Sequence, residues 1–319
     1  MKKYASTIIT FAVLGLFVWY GLVHREIFQS LKQVSIISLV LIVIGRLINI
    51  WTTGLFTKWT VEAFTDTLSQ SESFVVAVLT AIGNFFGPLF GGLGIRAIYL
   101  KKYHNLPYSK FTATLIGYYL MMFQFNSLLA IGSLLALPHT DQTGFVLAIF
   151  VAWFVVFFLL TFVKLPPRER MRWLSRHKPG SLLTKVLYDI EDGWKVLVGN
   201  RKLLVQMLVL AVANLLTLYL INYVEFRALG IHVSPAAMGL YTAIVQASLL
   251  LSITPGAVGI REAALLVLAG TLGITNQQII QVAILDRGIY FLLLGVLFMV
   301  TRHSKLRKSL VSARAAETA

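Results

Sequence analysis

Two glycine-rich segments carry the residues with the most chemistry to offer. The first reads Gly87-Pro88-Leu89-Phe90-Gly91-Gly92-Leu93-Gly94 and is followed by Arg96. The second reads Thr254-Pro255-Gly256-Ala257-Val258-Gly259 and is followed by Arg261 and Glu262. Pro88 and Pro255 break a helix, since proline lacks the N–H and crowds the preceding turn, and the glycines free the backbone from helical geometry. A helix that restarts after such a break presents free N–H groups and the positive end of its dipole, which suits a phosphate or a carboxylate. Arg96 and Arg261 add a forked, permanently charged donor. With Gly92, Gly94, Gly256, Gly259 and Asn84, these arginines form the candidate set for an anionic headgroup. Close helix packing through glycine, with each arginine snorkelling or pairing locally, is the competing reading of the same residues.

Further charges lie within apolar stretches: Arg46, Asp286 and Arg287. At the centre of a bilayer such a charge costs at least about 2.5–3.5 kcal/mol, so none is expected to face lipid. Pairing of Arg46 with Asp286, and of Glu262 with Arg287, would lower that cost; such pairs serve equally well as structural ties or as gates of a pathway. Asp286 and Glu262 are the acidic candidates for proton coupling, and Asn84, Gln124, Asn126, Asn214, Asn222 and Gln246 the polar candidates for a cavity wall or for helix–helix hydrogen bonds. Catalysis is not expected. No histidine accompanies the two acids, no cysteine is present, and none of the six histidines has H-x-x-H or H-E-x-x-H spacing, so neither a metal site nor a cofactor is anticipated.

The elements that must position these residues are membrane spans. Of 319 residues 57% are hydrophobic and 13% charged, about half the charge of a soluble domain. A bilayer core of about 30 Å takes roughly 20 apolar residues per helix. Segments 4–23, 34–56, 111–137, 143–163, 203–224 and 276–300 each meet that length, and 73–104 and 235–273 read as helical hairpins broken by the glycine–proline clusters. The expected architecture is therefore all-α and polytopic, with six full transmembrane helices plus two broken hairpins, in a single domain over 1–303 and a basic tail over 304–319. The segment 4–23 resembles a signal peptide in its basic start, but no small-residue cleavage site precedes His24 and Arg25, and it reads as a retained helix. No phosphate-binding G-x-x-x-x-G-K-[ST] loop occurs, which excludes ATP-driven pumping by this chain.

The formal net charge of +15 is explained by its placement. Lys2, Lys3, Lys58, Lys101, Lys102, Lys110, ten basic residues in 164–202 and five in 301–319 make 21 on one side, against Arg25, Lys32 and Arg227 on the other. The positive-inside rule places both termini and the 164–202 loop in the cytoplasm, in the plasma or inner membrane; nucleic acid is not an expected partner. Within that loop, Leu183, Val186, Leu187, Ile190, Trp194 and Leu197 recur at helical spacing opposite Lys185, Asp189 and Asp192. This amphipathic helix lies in the interface or packs under the bundle.

The hairpins also resemble each other. Thr80-Ala81-Ile82 precedes the first arginine motif as Thr242-Ala243-Ile244 precedes the second. Each hairpin sits between two spans, and the charge map brings the chain into them from opposite sides. Units 34–137 and 203–300 thus read as an inverted-topology repeat, the sequence pointer to a secondary-transporter site.

Pro255-Gly256-Ala257-Val258-Gly259-Ile260-Arg261-Glu262 resembles the Pro-Gly-x-x-Gly-[Val/Ile]-Arg-Glu signature of the lysylphosphatidylglycerol synthase transmembrane family, also described as flippase-like membrane proteins. Asn84, Pro88, Gly92 and Arg96 match that family's earlier region, and the similarity extends over roughly 5–300. The resemblance implies ATP-independent movement of an anionic or aminoacylated phospholipid, or another polar lipid, across the membrane. It also implies a lipid partner and, as a further possibility, a separate lipid-modifying enzyme. The family's lysyl-lipid synthases carry a soluble aminoacyltransferase domain after this region; none is expected in this sequence, which ends at Ala319. Family members often carry a charged pair in the helix after the first hairpin, where this chain reads Leu115-Ile116-Gly117-Tyr118-Tyr119-Leu120. The second-half helix keeps Asp286-Arg287, so the two half-sites are chemically unequal. An ion-coupled small-solute transporter on the same scaffold, or a non-transporting membrane partner of a separate lipid-modifying enzyme, is the alternative expectation.

Overall fold

A computed structural model of the chain describes residues 34–65, 67–86, 91–162, 178–248 and 259–301. Eleven helices and no strand occur among them. In chain order they are α1 (Ile36–Phe64), α2 (Gln70–Phe86), α3 (Gly91–His104), α4 (Tyr108–Ala136), α5 (Asp141–Phe162) and α6 (Lys178–Val198). Then follow α7 (Arg201–Ala228), α8 (Pro235–Ser248), α9 (Ile260–Val267), α10 (Ala269–Leu272) and α11 (Asn276–Thr301). Helices α1, α4, α5, α7 and α11 are each long and apolar enough to cross a membrane. The expected span at 4–23 and the tail at 304–319 lie outside the described residues. The protein is a multi-pass helical membrane protein.

Its surface agrees with that. Phe145, Val156 and Leu159 on α5, Val209, Leu216 and Leu220 on α7, and Leu292, Val296 and Val300 on α11 are exposed. A band of apolar side chains this wide suits lipid rather than water.

The two broken segments fold as helical hairpins. Helix α2 packs along α1 and returns as α3, crossing at glycine: a Cβ on Gly92 would come within 1.9 Å of the Thr80 carbonyl oxygen. At the other end of this hairpin Glu72 ties α2 to α3, accepting from the Tyr99 hydroxyl and lying 2.8 Å from His104 Nε2. The second hairpin runs from α8 to α9 and α10, with its returning arm divided at Leu268. Helix α9 starts at Gly259, whose φ of +87° is open to glycine and strained for other residues.

Helix α1 packs on α7, and α4 packs on α5, α6, α7 and α8. The amphipathic α6 docks on the bundle, meeting α4 where Gly193 and Gly117 pass closely; a Cβ on Gly193 would lie 2.5 Å from the Ala113 carbonyl oxygen. Two large apolar cores and two smaller clusters result among the described residues. One large core gathers Leu134, Phe226, Tyr241, Leu265 and Ile279; the other gathers Phe56, Val76, Tyr99, Met121 and Met207.

Candidate functional site

Where the cores meet, the helices leave a cavity of about 540 Å³, within the size range of small-ligand sites. Helix α1 contributes Arg46, Asn49, Thr52 and Thr53; α2 contributes Thr80, Asn84 and Phe85; α3 contributes Arg96. Across the space, α4 presents Tyr118 and Tyr119, α7 Asn214, α8 Gln246, α9 Arg261, and α11 Asp286, Arg287 and Tyr290. All four arginines of the apolar segments thus line one space, together with Asp286.

Six charged side chains form a connected cluster at one side of it. Asp286 joins two arginines: Oδ1 accepts from Arg46, and Oδ2 lies 2.7 Å from Arg261 Nη1. Arg46 also reaches Glu225 Oε1 at 3.4 Å and sits over the Tyr290 ring. Glu262 Oε1 accepts from Arg287 Nη2 at 2.8 Å and Nε at 3.1 Å, while Oε2 accepts the Gly259 N–H at 2.8 Å. Three arginines therefore meet three carboxylates. Paired in this way, each ion recovers part of the solvation lost on burial. Both Arg46–Asp286 and Glu262–Arg287, the pairings anticipated from sequence, are present.

Glu225 is the member that sequence reasoning missed. The apolar run ends at Val224, which assigned Glu225 to the outer connection. Helix α7 instead continues to Ala228 and holds Glu225 at 1% exposure. The available signal was its spacing: Glu225 follows buried Ile221 and Asn222 by four and three residues, on one helical face.

Arg96 stands apart. It is 3% exposed and lies in the second turn of α3, since that helix begins at Gly91 rather than at the arginine. Its guanidinium rests between the rings of Phe56 and Phe111, 5.0 and 5.2 Å from their centroids, and Nη1 donates to Thr57 Oγ1 at 3.3 Å. Nε has no hydrogen-bond partner and no carboxylate pairs with the group among the described residues. The aromatic faces attract the cation without neutralising it.

The remaining sequence candidates divide by position. Asn84 lines the cavity and accepts the Gly92 N–H at 3.0 Å, while Gly92 itself is consumed by the α2–α3 crossing. Gly94 lies on the exposed face of α3 with nothing close by, away from the cavity. Gly259 caps α9 and fixes Glu262. Pro88, Pro255 and Gly256 lie outside the described residues. Of the other amides, Asn214 and Gln246 line the cavity. Gln124, Asn126 and Asn222 instead tie helices together, donating to Phe157, Ala243 and Thr242. Tyr119 and Tyr290 joined the wall unforeseen.

Compared with known proteins, one family model, described as the lysylphosphatidylglycerol synthase TM region, matches residues 5–297. No curated protein and no solved structure matches the chain.

Proposed function

The chain belongs to the lysylphosphatidylglycerol synthase TM-region family, and from that membership and the cavity we propose that it translocates a polar lipid between leaflets without ATP. The observation that carries this reading is Arg96, a buried arginine with no carboxylate partner among the described residues, on the wall of an aromatic-lined cavity among membrane spans. A phosphate fits such a group, and the cavity has room for a headgroup while acyl chains remain in lipid.

The packing supports an inverted repeat as the scaffold. Exchanging α1–α4 for α7–α11 carries α2 on α1 onto α8 on α7, and α4 on α8 onto α11 on α2. It also carries α4 on α7 onto α11 on α1 and leaves the α1–α7 pair on itself. Tyr119 of α4 and Tyr290 of α11 both stand on the cavity wall. Two halves related in this way can rock about a fixed central site.

An exit for the acyl chains is supported between α2 and α11. Phe85 lines the cavity and stacks edge-on against Tyr290; beyond it Phe86 and Phe291 are 57% and 52% exposed, with rings 6.1 Å apart. In this reading the protein resides in the plasma or inner membrane with cytoplasmic termini, takes its lipid from a separate modifying enzyme or from the bulk leaflet, and catalyses no covalent step.

Reconstitution tests it. Vesicles containing the protein should move acyl-labelled phosphatidylglycerol between leaflets faster than empty vesicles, and Arg96→Gln should slow the movement at least about tenfold, the loss expected from removing a charge-assisted contact. Wild-type rates equal to empty vesicles across a broad lipid panel would sink the proposal.

A further inference from the structure

We infer that Glu225 takes up a proton when an anionic headgroup enters the cavity, which makes translocation proton-linked. The inference rests on the lipid-translocation reading and adds the ion that accompanies the lipid. By sequence the acids for such coupling were Asp286 and Glu262; the packing leaves that role to the third carboxylate of the cluster.

Glu225 is the least firmly held of the three. Asp286 has both oxygens on arginines, and Glu262 has one on Arg287 and one on the Gly259 N–H. Glu225 is 1% exposed, yet its Oε2 has no hydrogen-bond partner among the described residues, and Oε1 lies 3.4 Å from Arg46 Nη2. That contact is long for a charge-assisted hydrogen bond, and the same nitrogen also donates to Asp286. A carboxylate out of water is kept ionised by the hydrogen bonds it accepts. With the fewest of them, Glu225 is where a proton costs the cluster least, and Oε2 is the oxygen free to take it.

The way in for a proton is short. Glu225 lies in the last turn of α7, which ends at Ala228, and Arg227 beside it is exposed, bonded to Tyr223 and His232. The other groups near Glu225 come from the helices packed around α7. Helix α1 brings Arg46, and α8 brings Tyr241, whose buried hydroxyl has no partner and lies within range of the Glu225 charge. Helix α11 brings Asp286 and Tyr290, both against Arg46, and Arg261 of α9 reaches the group through Asp286. Helix α4 is uncharged after Lys110, and α6 leads into α7 at its opposite end.

The proton changes what the cavity presents. With Glu225 ionised, Arg46, Arg261 and Arg287 meet three carboxylates and the cluster is neutral. With a proton on Oε2 the cluster carries one positive charge. Arg46, the group Glu225 then stops compensating, lines the cavity, whereas Glu225 does not. A phosphate in the cavity therefore binds the protonated form more tightly, and by linkage the bound phosphate strengthens the hold on the proton by the same factor. Anion binding tightens as pH falls.

The test varies pH without a gradient. Phosphatidylcholine vesicles holding the protein and trace acyl-labelled phosphatidylglycerol are set to equal pH inside and out, from neutral to mildly acidic, a range in which the phosphodiester stays ionised. Wild type should move the lipid at least about fivefold faster at the acidic end, the low end of a typical coupling between two sites. Glu225→Gln, neutral at every pH, should move it at one rate throughout, no slower than wild type at neutral pH. A wild-type rate indifferent to pH would overturn the inference while leaving translocation intact, and so would arrest of the variant or its keeping the wild-type pH dependence. Should no lipid move, translocation fails, and calorimetry decides the proton linkage separately. Binding of short-chain phosphatidylglycerol to the detergent-solubilised protein, measured in two buffers of different ionisation heat, should draw a proton from solution with wild type and none with Glu225→Gln. Absence of binding, binding without proton uptake by wild type, or equal uptake by the variant would overturn it.

Discussion

Asp286 holds more of this protein together than its size suggests. One carboxylate takes Arg46 from α1 and Arg261 from α9, so three elements converge on it near the middle of α11. Removing its charge leaves two buried arginines short of a partner, and breaking a buried pair in this way costs about 3–5 kcal/mol. Asp286→Asn should therefore lower the thermal unfolding midpoint in detergent by many degrees. Arg227→Ala, on an exposed side chain, should leave it nearly unchanged. Equal midpoints for Asp286→Asn and wild type would mean that the cluster is solvated and structurally idle. Much of this was legible in the sequence, because an ionisable residue inside an apolar run has to be paired to be tolerated. Arg46, Asp286, Glu262 and Arg287 announced themselves on that ground. Glu225 did not: hydropathy marks where the apolar run ends, whereas a helix continues until its capping changes, four residues later here. Arg96 was read as a helix-start residue, but its isolation from any carboxylate is a matter of three-dimensional placement that spacing cannot supply.

At the scale of elements, the hairpins show which glycines matter. Gly92 sits where α3 crosses α2, and any side chain there meets the Thr80 carbonyl. Gly92→Ala should destabilise the protein by about 1–3 kcal/mol through overpacking. Gly94, three ångströms further along the same helix by its rise, has open space around it, and Gly94→Ala should be neutral or stabilising by up to about 1 kcal/mol through helix propensity. Thermal unfolding of the two variants side by side checks both; a larger loss for Gly94→Ala than for Gly92→Ala would contradict the crossing. The sequence located both breaks, because proline and clustered glycine interrupt a helix wherever they fall. It could not rank the glycines, since tight packing depends on the neighbour across the gap. Helix α6 teaches the same lesson: its amphipathic pattern fixed its existence, while the choice between membrane interface and bundle was made by the close passage of Gly193 and Gly117.

For the whole molecule, the charge map and the two similar hairpins already pointed to a polytopic bundle built from two related units. What the fold adds is that helices from 34–137 and from 203–300 line one cavity, and that its wall is chemically uneven. Residues 203–300 supply Arg261, Arg287 and Asp286, and residues 34–137 supply Arg46, Arg96, Tyr118 and Tyr119, so the one carboxylate on the wall among the described residues comes from the later part of the chain. The Leu115–Leu120 stretch of α4 is uncharged, whereas α11 carries Asp286-Arg287. The proposed translocation requires the acyl chains to pass through a seam in the bundle. The seam between α2 and α11 can be closed on demand, since the chain has no cysteine of its own. With Phe86→Cys and Phe291→Cys introduced together, a short, cleavable thiol cross-linker should bridge α2 to α11. The decisive measurement is inter-leaflet movement of labelled phosphatidylglycerol in vesicles containing this double variant, before cross-linking, after it, and after cleavage of the linker. The expected course is movement, then arrest to the rate of empty vesicles, then recovery. Undiminished movement through a fully cross-linked seam would contradict passage of the acyl chains between α2 and α11.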